Sequence, residues 1–173
     1  VALRVLLLTG CLALGAALDG ALLSRLPWGP DLLLLVVLAV GLRHGLESGA
    51  LIGAGAGYLR DLTSGSPLGL FVLSYLLIGA AAGAASTIVD PQQRAIPAVA
   101  ALVGTAALAL LGAAIVHATG VARVDWAATA FDAAITAAIN GFLAGAIDAT
   151  VRGIDRLAQR RYTGRLIGHK VLR

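Results

Sequence analysis

Apolar runs alternate with short polar interruptions along nearly the whole chain. A helix crossing ~30 Å of hydrocarbon needs about 20 apolar residues, with roughly 17–25 tolerated. The runs are divided by residues that break or terminate helices: Pro27-Trp28-Gly29-Pro30, Arg43-His44, Ser64-Gly65-Ser66-Pro67 and Asp90-Pro91-Gln92-Gln93. This punctuation predicts six spans, near 3–23, 29–44, 46–63, 68–87, 96–118 and 126–149. Asp31 follows Pro30 where an acid suits a helix start, beside the positive end of the helix dipole. Spans two and three are short and separated only by Arg43 and His44, so they read as two crossings or as a re-entrant pair. The expected fold is all-α, a polytopic membrane protein with a compact six-helix bundle over 1–151 and a tail over 152–173.

Composition agrees with that pattern. The 173 residues are 59% hydrophobic and 13% charged, with a mean hydropathy of +0.92, against ~45–50% and ~25% in soluble domains. So little polar surface cannot cover a fold in water. The single cysteine excludes a disulfide framework and a multi-cysteine metal site. Leu8-Thr9-Gly10-Cys11 has the look of a lipidation box, but only four apolar residues lie between Arg4 and Thr9. A signal h-region needs roughly 7–15. Residues 3–23 are therefore read as a first transmembrane helix with Cys11 as a buried thiol.

Charge sets the orientation. Residues 152–173 hold seven basic side chains against one acid, Asp155, while the preceding 151 hold six Arg and eight acids. With six spans, one side collects Arg4, Arg43, Arg94 and the tail, and the other Arg25, Arg60 and Arg123. The Lys and Arg bias places both termini in the cytoplasm. Apolar residues in the tail, among them Ile154, Leu157, Leu166 and Val171, recur with imperfect helical spacing between the arginines. The tail reads as a basic amphipathic segment on anionic inner-leaflet lipid, each charge contributing about 1 kcal/mol there. A cytoplasmic protein is the alternative partner; nucleic acid is not expected beside a membrane body.

Small residues recur at four-residue spacing: Ala13, Ala17 and Ala21 in the first span, then Gly45, Gly49, Gly53 and Gly57 in the third. In lipid such stripes let backbones approach, either within the bundle or against a partner or second copy. Charged side chains at membrane depth cost at least about 2.5–3.5 kcal/mol on insertion scales, and here they fall near span ends. Arg60 and Asp61 end the third span close to Asp31. Thr129, Asp132, Thr136 and Asn140 share one face of the last span, which should point into the bundle or onto a partner. No His-Glu-x-x-His, phosphate loop or Cys/His ligand spacing is present. The three histidines are isolated from one another, and no enzyme, metal or cofactor is expected.

Pro30-Asp31, the leucine-rich run to Leu42, Arg43, a glycine-rich helix and then Leu59-Arg60-Asp61-Leu62-Thr63-Ser64-Gly65-Ser66-Pro67-Leu68-Gly69 resemble the rod shape-determining MreD family. The likeness runs from Pro30 to Gly83, and the chain's size, short loops and basic C-terminus agree with it. It implies a non-enzymatic inner-membrane scaffold of the bacterial cell-elongation machinery. Such a scaffold binds MreC and, through it, works with MreB, RodA and a class B penicillin-binding protein in peptidoglycan synthesis and cell shape. It also implies a fold similar to the S-components of energy-coupling transporters, which opens an alternative: capture of a vitamin or metal. Under the first reading Pro30, Asp31, Arg60, Asp61, Ser64, Gly65, Pro67 and Gly69 form a partner-binding or structural motif. A lateral contact for the partner falls on the first or last helix.

Overall fold

The computed structural model describes residues 15, 29–64, 69–90, 93, 95–120 and 123–171, with side chains through residue 156. Ala13, Ala17, Ala21, Gly65 and Pro67 lie outside the described residues. The described residues form five helices and no strand: α1 (Leu32–His44), α2 (Leu46–Ser64), α3 (Leu70–Ala85), α4 (Ala95–Thr119) and α5 (Trp126–Val171). α1 to α4 occupy the stretches expected for spans two to five. The Asp31 carboxylate caps α1 by accepting from Leu34 N–H at 2.9 Å, and Asp125 does the same for Ala127 at the start of α5.

Among the described residues, two stretches, Ala95–Thr119 and Trp126–Arg156, are long and apolar enough to cross a bilayer. With the chain's composition they mark a helical membrane protein. α1 has 13 residues, which at 1.5 Å each is about 20 Å, short of the ~30 Å hydrocarbon thickness. The length of α1 therefore does not by itself make a full crossing.

The expected boundary between bundle and tail at 151/152 is not a break in the chain. α5 continues through it for 46 residues, with Gly153, Gly164 and Gly168 all helical. No proline interrupts it, and Arg152 reaches back one turn to Asp148 at 2.6 Å.

α1 is the axle of the bundle. Every residue from Leu33 to Leu42 is buried, and α1 packs against each of the other four helices. A helix apolar all round fits such a position. α2 and α3 form one wall, joined to α1 through Gly45, whose φ of +84° lets the chain reverse where a side chain would be strained. α4 and α5 form the other wall. α5 turns Ala137, Asn140, Ala144, Asp148 and Val151 inward, a stripe at three- and four-residue steps. Its other faces are largely open, with Phe142 89% exposed.

Candidate functional site

At the Asp31 end of α1, four helices meet in a buried polar network. Asn140 of α5 is fully buried. Its Oδ1 accepts from the Asp31 N–H at 2.9 Å, and its Nδ2 donates to Thr105 Oγ1 of α4 at 2.9 Å. Tyr75 of α3, also fully buried, donates its hydroxyl to Asp31 Oδ2. One carboxylate and one amide thus tie α1 to α3, α4 and α5. Interhelical hydrogen bonds of this kind contribute about 0.6–2 kcal/mol each in membranes, and leaving such groups unpaired there costs more.

Above this network lies a cavity of about 410 Å³. Asp31 and Thr105 contribute to it, Thr129, Asp132 and Thr136 line it from α5, and Leu70, Phe71, Leu108 and Val116 supply apolar walls. Asp31, the residue that caps α1, is the point where the cavity meets that helix. The four-residue polar stripe expected on the last span is divided by this geometry. Its three outer members face the cavity, whereas Asn140 is consumed by the network.

The turn between α2 and α3 is organised by Asp61, which is 3% exposed. Its carboxylate accepts from the backbone N–H groups of Gly69 at 2.8 Å, Phe71 at 3.0 Å and Val72 at 3.3 Å. It thereby satisfies orphan donors at the start of α3 from across the turn. Gly69 has φ +99°, a left-handed backbone that suits glycine. The Arg60 guanidinium lies 5.8 Å over the Phe71 ring, within cation–π range. Ser64 is exposed at the end of α2, and Pro30 is half-buried before α1.

At the opposite end of α1, Arg43 forks onto Asp148 of α5. Nε to Oδ1 is 2.7 Å and Nη2 to Oδ2 is 2.9 Å, a bidentate geometry. Arg152 joins the same carboxylate, and His44 Nε2 sits 3.1 Å from Asp155. Asp155 and Arg152, read from sequence as tail residues, therefore belong to the body.

The glycine stripe faces α3. A methyl added at Gly49 would overlap the Gly79 carbonyl oxygen, and at Gly53 and Gly57 it would overlap those of Tyr75 and Phe71. Gly45 sits in the turn, where nothing lies within 4 Å of an added Cβ. Sequence reasoning missed Tyr75, Thr105 and Asp148. The one local signal was Asp148 four residues before Arg152, and nothing in the sequence pairs it with Arg43. Among the described residues no three His, Cys, Asp or Glu side chains group to hold a metal.

A model of the family described as rod shape-determining protein MreD matches residues 5–154. No curated protein and no solved structure matches the chain.

Proposed function

The chain belongs to the MreD family of rod shape-determining proteins, and on that premise we propose that it is a non-enzymatic inner-membrane scaffold of the cell-elongation complex that binds MreC. Through MreC it supports the work of MreB, RodA and a class B penicillin-binding protein in peptidoglycan synthesis. The observation that carries this reading is the family match over 150 of the 173 residues. The chain threads the membrane several times with both termini cytoplasmic, and the basic residues beyond Arg152 engage anionic inner-leaflet lipid.

The partner contact has two parts. Laterally, a transmembrane helix of MreC lies on the open face of α5, where Phe131 and Phe142 project and Gly145 has nothing within 4 Å of an added Cβ. Bulky apolar groups beside a small residue favour close helix contact in lipid. On the outer side, the turn held by Asp61, with Pro30, Arg60, Ser64 and Gly69, meets the juxtamembrane part of MreC. Asp61 shapes that turn; the exposed Ser64 and Gly69 present it.

The test is a photo-crosslinking amino acid at position 142 in the full-length chain, expressed with MreC. A crosslink to MreC, lost when the probe is moved to the buried position 137, is the expected result. If mild-detergent purification recovers no MreC at all, the scaffold reading is overturned. If MreC is recovered but residue 142 gives no crosslink, only the α5 face is wrong.

A further inference from the structure

The cavity at the Asp31 end of α1 is bordered by hydrogen-bonding capacity that the fold does not use. Thr63, Thr119, Thr129 and Thr150 each donate their hydroxyl to the carbonyl four residues back, the usual outlet for a threonine in a helix. Thr105 and Thr136 line the cavity and make no such bond. Thr105 is 5% exposed. Its oxygen accepts from Asn140 Nδ2, and its own proton has no acceptor among the described residues. The Thr136 hydroxyl has no partner at all among them. A buried hydroxyl proton left unpaired is costly, and more so at membrane depth. The charged groups nearby are already engaged. The Asp31 carboxylate accepts from Leu34 N–H and the Tyr75 hydroxyl, Asp132 is exposed and partnered, and the Arg60 guanidinium covers the Phe71 ring.

We propose that this cavity binds a neutral molecule that presents a carbonyl oxygen from an apolar body, a ketone, ester or amide. Its volume, about 410 Å³, falls within the ~300–1,000 Å³ of sites that take small molecules. Seven of the twelve described lining residues are apolar, and a neutral guest sheds far less hydration energy on entering such walls than a charged one. The Thr105 and Thr136 hydroxyls donate to the guest oxygen, while Leu70, Leu108 and Val116 meet its body. A carbonyl oxygen offers two lone pairs and brings no proton that would itself need a partner there. The bond from Asn140 holds the Thr105 oxygen in place before a guest arrives, which lowers the entropic cost of binding. A carbonyl of this kind has two sources, a free small molecule or the glycerol ester of a lipid.

The test uses benzophenone, a neutral diaryl ketone that on irradiation bonds covalently to adjacent C–H groups. The full chain is held in nanodiscs of ether-linked lipid, which contain no ester carbonyl, and mass spectrometry locates the label. Labelling is expected on the cavity-lining stretches 105–116 and 129–136. Phenyl benzoate, which keeps a carbonyl, should suppress it at about fivefold lower concentration than diphenylmethane, which has none, as one or two net hydrogen bonds allow. Repetition in ester-linked lipid identifies the source: weaker labelling there assigns the site to a lipid ester, and equal labelling to a free molecule. Thr105→Val would strand the Asn140 amide, so two other variants carry the test. Thr136→Val, which keeps the shape and removes the hydroxyl, should at least halve the ratio between the two competitors. Ala133→Phe, which fills the cavity, should abolish labelling while the melting profile stays that of a folded protein. No label on the two stretches, as a cavity holding only water would give, overturns the proposal. So does equal competition by the two compounds, a ratio unchanged in Thr136→Val, or labelling unchanged in Ala133→Phe. The assay contains no MreC, so its outcome is independent of the scaffold reading.

Discussion

Along α2 and α3 the bundle is joined backbone to backbone. Gly49, Gly53 and Gly57 face the carbonyls of Gly79, Tyr75 and Phe71 so closely that no side chain fits between them. Along α5 the attachment to the central helix α1 is made by polar side chains. Asn140 holds the Asp31 end, Asp148 holds the Arg43 end, and small residues fill the interval. In lipid, where apolar side chains gain little by leaving one apolar medium for another, both are workable solutions. They differ in how they fail. A backbone contact is lost gradually as helices are pushed apart, whereas a buried charge left without its partner is penalised at once.

The largest effect is therefore expected at the polar attachment. Asp148 is 3% exposed, and Asp148→Ala strips Arg43 and Arg152 of their shared acceptor. A loss of about 3–5 kcal/mol is expected, as for other buried pairs broken on one side. Arg43→Ala combined with Asp148→Ala should cost less than the two single losses added together, because neither charge is then stranded. Reversible unfolding in mixed micelles measures all three variants. Strict additivity would mean that the ion pair does not hold α5 to the axle.

The glycine wall is tested by two substitutions of opposite expected sign. Gly49→Ala places a methyl on the Gly79 carbonyl oxygen, and separating α2 from α3 should cost about 1–3 kcal/mol, as in overpacked cores. At Gly145 an added Cβ meets nothing within 4 Å. There Gly145→Ala should stabilise by about 0.5–1 kcal/mol, because alanine orders a helix at lower entropic cost than glycine. The same micelle unfolding assay reads both. If both variants shift in one direction, close approach is not what the stripe provides.

These contrasts explain which parts of the molecule the sequence disclosed. The Pro and Gly punctuation marked the boundaries before α1, between α2 and α3 and before α4, because helix ends are local events. The four-residue glycine period also announced close packing, since a period needs no knowledge of the partner. Leu33 to Leu42 gave no such cue. A helix buried among helices and one bathed in lipid are written with the same apolar letters, so the central place of α1 was invisible. Arg43 was read as one more cytoplasmic charge because its partner lies 105 residues away. The stripe from Thr129 to Asn140 was found as a face. That Asn140 bonds to Asp31 while Thr129, Asp132 and Thr136 border a cavity depends on contacts with helices distant in sequence, which only the packed bundle reveals.

The smallest destabilisation is expected at the α2–α3 turn, where the two ways of joining helices meet. Asp61 lies at the end of the glycine-packed wall but acts through hydrogen bonds, accepting from three backbone N–H groups at the start of α3. Asp61→Ala leaves all three donors without their acceptor and should cost about 1–2 kcal/mol, in the upper part of the range for lost helix caps. Asp61→Asn keeps one carbonyl oxygen and should lose roughly half of that. Faster hydrogen exchange is expected at the amides of Gly69, Phe71 and Val72, with the amides around Gly49 and Gly79 unchanged, because the glycine contacts do not depend on the cap. Exchange that rises equally along the whole of α2 and α3 would show that the cap and the glycine seam are a single cooperative unit. Asp61→Asn also separates shape from contact. If it abolishes MreC capture while exchange at the three amides stays slow, the carboxylate itself meets the partner. Loss of capture that tracks the exchange rate across the two variants assigns Asp61 to the geometry of the turn.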